Sequence, residues 1–294
     1  MAEYRDQASG LRRLFRQESL RVITFAAGSE GVGKTVAVAN IAAAMARQGR
    51  EVLVLDENTA GNVASIFGVA AKYDLYHVVN RDRRLSEVLV HVAPGVRVLP
   101  AARAVKKLGK LQRGQQEALL EALGSMEHPA DVILVDASID HPLGFSPLGL
   151  ATPETVVVAA ATGAAITEAY ALIKKVSLGY SRRHFRVLVN KVRCAEDAEA
   201  IYANLAQLAR QRGVARLDYV GHVPLDDALR HAARLCQPVA AAYPESAAAE
   251  ALRGIAGEML HWPPAEAESG GLEQFVQQLL HLSQHIDPVT IHAG

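Results

Sequence analysis

The sequence predicts an α/β fold built on a doubly wound, mainly parallel sheet that is flanked by helices. From Leu20 onwards, apolar runs of strand length alternate with helix-like sequence, which is typical of layered α/β folds. The runs read RVITFAA, EVLVLD, VRVLP, DVILVD, TVVVAAA, FRVLVN and DYVGHVP. Their low polarity is that of strands buried on both faces. With 294 residues, 50% of them hydrophobic, the chain is long enough for one large domain or two small ones.

The turn after the first predicted strand carries the most specific motif, GSEGVGKTV over residues 28–36. It has the form Gly-x4-Gly-Lys-Thr and stands between a strand and an Ala-rich helix, as a phosphate-binding P-loop requires. The alternative is an ordinary tight turn between a strand and a helix. Backbone N–H groups and the lysine of a P-loop surround phosphates, and its threonine binds Mg²⁺. The residues predicted to bind nucleotide are Gly28, Ser29, Glu30, Gly31, Val32, Gly33, Lys34, Thr35 and Val36.

Three later strands end in polar residues, at the edge where parallel sheets bind their ligands. Asp56 closes EVLVLD, Asp136 closes DVILVD and Asn190 closes FRVLVN. Asp136 is a candidate outer-shell partner of Mg²⁺, although a strand that ends in Asp is by itself a weak signal. The alternative for Asn190 is a turn residue at a strand end.

Charge and cysteine content limit the classes of function. The chain has 31 basic and 31 acidic residues, so no overall field favours nucleic acid or an anionic bilayer. Cys194 and Cys236 lack the spacing of a metal site, which predicts buried thiols in a reducing compartment. We find no apolar signal segment at the N-terminus and no run of transmembrane length, and we expect a cytoplasmic protein.

The chain divides into four segments. Residues 1–19 precede the first strand, residues 20–262 form the predicted nucleotide-binding domain, residues 263–271 form a linker and residues 272–294 form a tail. The tail carries an apolar stripe at helical spacing, which predicts an amphipathic helix. Because this helix has no Lys or Arg, weak membrane contact and docking on its own domain both stay open. The stripe consists of Leu272, Phe275, Val276, Leu279 and Leu280.

Several stretches carry a resemblance to a known family. The segment GREVLVLDENTAGNVASIFGV after the loop resembles the MinD/ParA group of P-loop ATPases. DLYHVV, AITEAYALIKKV and LDYVGHVPLDDALRHAARLCQPVAAAYPES resemble the FlhG/FleN family of flagellar-number regulators within that group. The N-terminal DQASGLRRL is similar to the DQAxxLR motif of this family and is the most specific part.

The resemblance implies a regulatory switch for flagellar number or placement, which forms a homodimer with ATP and Mg²⁺ at its interface. Asn190 would contact adenine, and the backbone around Pro224 would complete the base pocket. Flagellar transcriptional activators or components of the flagellar switch (C-ring) would be its partners. The implied metal ligands are Thr35, Asp56 and Asp136, and the residues of hydrolysis are Lys34, Asp56 and Asn58.

Three positions depart from the family pattern. The family loop usually reads Lys-Gly-Gly-x-Gly-Lys, and its first lysine crosses the dimer; here Ser29 and Glu30 stand at its first two positions. The family's Asp-x-Asp switch ends here in Asn58. An asparagine can orient a water but cannot accept its proton, and a missing cation leaves developing charge less stabilised. We therefore predict firm nucleotide binding with slow hydrolysis or none.

For the N-terminal segment, residues 1–19, a contact with a partner protein is predicted from the family resemblance alone. The resemblance implies that this segment docks on the GTPase FlhF. Gln7 would help to order the hydrolytic water of that enzyme. The alternatives are a helix packed on its own domain and a frayed basic tail. The residues implied in this contact are Asp6, Gln7, Leu11 and Arg12.

Other classes of function also stay open. A DNA-associated partition ATPase of the ParA type would need a basic surface, for which YSRRHFR and NKVR are the only hints, so DNA binding is not expected. A scaffold that binds nucleotide without hydrolysing it is a further alternative. An ATP-coupled synthetase would need a second catalytic constellation, and the sequence offers none.

Overall fold

The structure is a computed structural model that describes residues 20–124, 130–139, 145–263, 275, 277–279 and 281. Within these residues it has one eight-stranded sheet with the spatial order β3-β4-β2-β5-β1-β6-β7-β8. All neighbouring strands are parallel except β3 and β4, which pair antiparallel at one edge. The strands are β1 (Arg21–Ala26), β2 (Val52–Asp56), β3 (Val90–Ala93), β4 (Val96–Pro100), β5 (Val132–Asp136), β6 (Glu154–Ala160), β7 (His184–Val192) and β8 (Arg216–Pro224).

Helices cover both faces of this sheet. The longer ones are α1 (Lys34–Arg47), α6 (Arg113–Gly124), α8 (Gly163–Tyr180), α9 (Ala195–Gln211), α10 (Asp227–Arg234) and α12 (Ala247–Leu260). The shorter ones are α2 (Val63–Ile66), α3 (Leu75–Val79), α4 (Leu85–Val88), α5 (Ala102–Val105), α7 (Pro147–Ala151) and α11 (Val239–Ala242), and a 3-10 turn spans Leu108–Lys110.

The core lies on both sides of the sheet because successive strand residues point to opposite faces. In β2, Val54 packs in the cluster that contains residues of α1 and α12, whereas Leu53 packs in the cluster that contains residues of α3 and α6. Each fully buried aliphatic side chain of this kind stabilises the fold by roughly 1.5–3 kcal/mol. The predicted doubly wound sheet is therefore confirmed, and all seven predicted strands are present.

Two features differ from the expectations. The antiparallel edge strand β3 was not recognised in the sequence. The prediction of buried thiols is wrong, because Cys194 and Cys236 are both exposed. Cys194 is the N-cap of α9, and Cys236 follows α10 with a positive φ of 54°. Both cysteines stand at helix ends, and these local positions outweigh the general tendency of cysteine to be buried.

The tail is described only in part, at Phe275, Gln277, Gln278, Leu279 and His281. Phe275 and Leu279 are 5% and 2% exposed, and both belong to the buried cluster that contains residues of α3 and α6. This packing is the alternative in which the tail docks on its own domain. No helix in the described part of the chain is long and apolar enough to cross a membrane. The predicted tail positions Leu272, Val276 and Leu280, and all of residues 1–19, including Asp6, Gln7, Leu11 and Arg12, lie outside the described residues.

Candidate nucleotide site

A cleft of about 860 Å³ opens at the carboxyl ends of the central strands. Its lining includes the predicted nucleotide-binding residues from Ser29 to Val36, together with Asn58, Asn190 and Pro224. Gly28, Asp56 and Asp136 are not part of the lining. The two aspartates lie beneath it, with 2% and 0% of their surface exposed. The fold thus brings distant strand ends to one edge of the sheet, as parallel topology requires.

Two glycines of the loop, Gly28 and Gly33, are required by close contacts with neighbouring elements. A Cβ at Gly28 would lie 2.2 Å from the carbonyl oxygen of Glu168 in α8. Gly33 has a φ of 88°, and a Cβ there would lie 2.4 Å from Nδ2 of Asn190. A side chain at either position would displace the loop, because real Cβ atoms do not approach other atoms so closely. The loop is therefore held against α8 on one side and the end of β7 on the other.

Lys34 begins α1 and forms a buried ion pair with Asp136 at the end of β5. Nζ of Lys34 donates to Oδ1 of Asp136, while Oδ2 of Asp136 accepts a hydrogen bond of 2.8 Å from Nδ2 of Asn58. Buried charges need such partners, because each is costly when it is unpaired. The P-loop lysine is thus held in place by a carboxylate of the neighbouring strand.

Asp56 shapes the loop that follows β2. Its Oδ1 accepts hydrogen bonds from the backbone N of Asn58 at 2.9 Å and from Nδ2 of Asn58 at 3.1 Å. Its Oδ2 accepts from the backbone N of Val63 at 2.5 Å. Burial, and next the charge of Asp136, raise the pKa of Asp56 to about 6. The Asn58 carboxamide donates to both aspartates, so it separates two carboxylates that would otherwise repel each other.

Glu57 also lines the cleft, and the sequence reasoning did not identify it as a site residue. Its side chain accepts a 2.9 Å hydrogen bond from the backbone N of Ser138 and another from Oγ of Ser146. It therefore ties the loop after β2 to the segment after β5 and to the start of α7. Burial raises the pKa of Glu57 to about 7. The available signal was its position, a charged residue directly after a buried strand and between two predicted site residues.

Asn190 holds the P-loop in this structure. Its Nδ2 donates to the carbonyl oxygen of Val32 at 2.8 Å, and its Oδ1 accepts from the backbone N of Lys191 at 2.9 Å. The side chain of Lys191 donates to the carbonyl oxygen of Gly31 at 2.5 Å. Lys106 and Arg230 also line the cleft. Lys106 and Arg230 were not predicted, because they come from segments far from the predicted site residues, and Lys191 was missed although it directly follows Asn190.

Comparisons with known proteins decide the family. Residues 23–239 match the CobQ/CobB/MinD/ParA nucleotide binding domain. The chain is also 30% identical to the antiactivator FleN of Pseudomonas aeruginosa over 273 residues. This aligned region covers 92% of this chain and 97% of FleN. The chain belongs to the FlhG/FleN family. The predicted family is therefore confirmed, and this FlhG/FleN-type protein carries a nucleotide-binding domain of the MinD/ParA type.

Further relatives are consistent with this assignment. The flagellum site-determining protein YlxH of Helicobacter pylori is 24% identical over 272 residues, 88% of this chain and 90% of YlxH. The structure of the Aquifex aeolicus MinD cell division protein is similar with a TM-score of 0.64 at 20% identity, over 83% of this chain and 98% of MinD. The Pyrococcus horikoshii MinD complex with Mg-ADP gives 0.60 at 22% identity, over 81% of this chain and 95% of that one. These structural likenesses show the shared fold.

Proposed function

We propose that this FlhG/FleN-type protein is a nucleotide-dependent switch that controls flagellar number or placement. It binds ATP and Mg²⁺ at the interface of a homodimer and acts on a flagellar transcriptional activator or on components of the flagellar switch. The observation that carries the proposal is the cleft lined by Lys34 and Thr35, in a chain that is similar to FleN over almost its whole length.

The donor groups of the site fit Mg²⁺ and phosphate. Thr35, Asp56 and Asp136 offer oxygen ligands, which Mg²⁺ prefers, and bound Mg²⁺ would neutralise phosphate charge. Asp56 and Asp136 are paired across neighbouring strand ends and both accept from Nδ2 of Asn58, which supports the proposal that they share a cation. With nucleotide bound, Lys34 would exchange Asp136 for the phosphates of ATP, and the N–H groups at the start of α1 would hold these phosphates. Asn190 and the backbone of Pro224 border the base.

Slow hydrolysis is part of the proposal. Asn58 already donates to Asp56 and Asp136 and has no group that accepts a proton. Ser29 carries no charge with which to stabilise the transition state. The nucleotide would therefore act as a long-lived ligand that holds the dimer together rather than as a substrate that is rapidly hydrolysed.

Sedimentation velocity with Mg-ATP, with Mg-ADP and without nucleotide tests the switch. The proposal expects dimers with Mg-ATP only, because the γ-phosphate completes the interface. A single species under all three conditions would refute nucleotide control of assembly.

For residues 1–19 we propose docking on FlhF, with Asp6 as the helix N-cap, Leu11 and Arg12 in the contact and Gln7 orienting the hydrolytic water. A carboxamide can donate and accept at once, which suits this task. The peptide of residues 1–19 should accelerate GTP turnover by FlhF, and Gln7→Ala should remove the acceleration while it keeps most of the binding. A peptide with no effect on turnover, or a Gln7→Ala peptide as active as the unchanged one, contradicts this role.

For the tail we propose weak peripheral binding at the inner face of the cell membrane, in a protein that is otherwise cytoplasmic. Since Phe275 and Leu279 are buried on the domain, binding requires their release, which dimerisation with ATP would supply. Flotation with anionic liposomes should therefore show binding only with Mg-ATP, and Phe275→Glu should abolish it. The control Gln278→Glu changes an exposed position of the same helix. Equal flotation of both variants would leave the tail as a packing helix.

A further inference from the structure

A second cleft of about 750 Å³ lies beside the edge of the sheet formed by β3 and β4. It shares no lining residue with the nucleotide cleft. Residues of α3, α4 and α6 form its walls, and several of them are apolar. The apolar wall residues are Val78, Leu85, Leu89, Ala118 and Ala122.

Arg97 of β4 lines this cleft and has two hydrogen-bonding groups without an acceptor. The residue is 6% exposed, and its Nε and Nη2 are buried with no hydrogen-bond partner. The carboxylate of Glu51 lies 4.0 Å from Nη2, which is beyond hydrogen-bond distance, and its side chain is 41% exposed. The buried guanidinium group therefore has one distant, half-exposed ion-pair partner and no hydrogen bond at Nε or Nη2, which is less compensation than buried charges normally have.

The positions of Nε and Nη2 of Arg97 indicate which kind of acceptor would complete their hydrogen bonds. Nε and Nη2 lie on the same edge of the guanidinium group, which presents two parallel N–H groups. This edge matches an acceptor that has two oxygens in one plane, such as a carboxylate or a phosphate. A compact ammonium group could not present such a fork.

The remaining charges around the cleft also favour an anion. The lining contains four arginines and three carboxylates. His91 also lines the cleft, and it lies opposite Arg97 in the register of β3 and β4. The 3.6 Å ion pair between Glu121 and Arg81 neutralises one charge of each sign, and Glu87 accepts from the backbone N of Arg84, so the arginines of the lining keep an excess of one positive charge. The volume of the cleft lies within the usual range for small-molecule sites, roughly 300–1,000 Å³.

We propose that this cleft binds a small anionic ligand through a carboxylate or phosphate group, which the Nε–Nη2 edge of Arg97 clamps with two hydrogen bonds. The apolar walls accommodate the carbon skeleton of such a ligand. The proposal does not depend on the function proposed for the nucleotide cleft, because the two clefts are separate.

Nitrogen-15 NMR of the arginine Nε–H groups in the full chain tests this site. The probes are inorganic phosphate and glutarate, each titrated at constant ionic strength in a Lys34→Ala background, so that the P-loop does not compete for phosphate. The Arg97 signal, identified by its absence in Arg97→Lys, should shift and saturate with at least one probe. Comparison of the two titrations shows whether phosphate or carboxylate is preferred.

Three variants separate the effect of the two N–H groups of the Nε–Nη2 edge from the effect of positive charge alone. Calorimetry measures how each variant binds the preferred probe. Arg97→Lys keeps the charge but removes the fork and should weaken binding about tenfold or more. Arg97→Leu should abolish binding, whereas Arg103→Leu, which removes an exposed cation outside the cleft, should leave it unchanged.

Absence of a saturable shift with both probes overturns the proposal, as does equal binding by the original chain and Arg97→Lys. If Arg97→Leu does not fold, the titration of the native Arg97 signal and the Arg97→Lys variant still decide the question.

Discussion

The two loops that meet at the nucleotide cleft use their side chains in different ways. In the P-loop, glycines allow the backbone to lie close to α8 and β7. Lys34 is paired with Asp136, and a phosphate could replace Asp136 as its partner. In the loop after β2, Asp56 and Asn58 hydrogen-bond to each other and to the adjacent backbone. One loop is organised to receive a ligand and the other to hold its own shape. The charge that we propose for phosphate binding therefore lies in the P-loop, whereas Asn58, one of the positions from which we predict slow hydrolysis, lies in the loop after β2.

Asn58 explains how the second loop is stable without a ligand. An aspartate at this position would stand beside Asp56 and Asp136, and three neighbouring carboxylates would repel one another. The carboxamide donates to both of them instead. The carboxamide also offers no proton acceptor to the cleft, so the residue that stabilises the empty site is one of those from which we predict slow hydrolysis.

The largest effect is expected from Lys34→Ala, which removes the charge that the P-loop offers. Loss of one partner of a buried, hydrogen-bonded charge pair costs about 2–5 kcal/mol, so ATP binding should fall by roughly thirtyfold or more. Calorimetric titration with Mg-ATP measures it. Lys110→Ala serves as the control, because it removes an exposed lysine outside the cleft. ATP affinity close to that of the unchanged protein in Lys34→Ala would mean that the P-loop is not the binding element.

A smaller effect is expected at Glu57, and it concerns stability. In the folded chain the pKa of Glu57 rises from its usual 4.5 to about 7, so the unfolded chain loses this proton first as pH increases. The free energy of unfolding should therefore decrease between about pH 4.5 and 7, by roughly 3 kcal/mol from this group. Glu57→Gln mimics the protonated form and should be more stable than the unchanged protein above pH 7, with little difference near pH 4.5.

Urea unfolding at several pH values, in EDTA and without nucleotide, measures this difference. Glu117→Gln changes an exposed carboxylate and should follow the unchanged protein at every pH. A constant difference between Glu57→Gln and the unchanged protein over the whole range would show that Glu57 does not titrate in this window.

The smallest effect concerns turnover. The triple variant Ser29→Lys, Glu30→Gly and Asn58→Asp restores the family's cation and its second aspartate, and should raise ATP hydrolysis at least about tenfold. Phosphate release at saturating Mg-ATP measures it, with Mg²⁺ present to offset the added carboxylate. A matched variant that carries Gln instead of Lys at position 29 tests whether the charge matters. Equal rates for all three proteins would show that these positions do not limit hydrolysis.

The sequence predicted those parts of the molecule that depend on local pattern. Continuous apolar runs indicated seven strands, and the Gly-x4-Gly-Lys-Thr spacing indicated the loop between β1 and α1. The strand β3 was missed because its run, Val90–Ala93, is only four residues long, is interrupted by His91 and forms an edge hairpin with β4 rather than a buried parallel strand.

The partners within the site could not be predicted from the sequence. Glu57 is buried because Ser138 and Ser146, more than 80 residues away, hydrogen-bond to its carboxylate. Asn190 was expected at a base, and in this structure its carboxamide supports Val32 of the P-loop. Contacts of this kind depend on how the loops pack together, and no local periodicity reports them.

The central claim is that this site holds ATP and does not readily hydrolyse it. Filter binding with ATP labelled in parallel at the α- and γ-phosphates tests both parts in one measurement. We expect both labels to be retained equally, at one nucleotide per chain, for roughly half an hour or longer, the time scale of switch proteins that lack their activating cation. Loss of the γ-label within a minute while the α-label remains, or retention of neither label, would contradict the account.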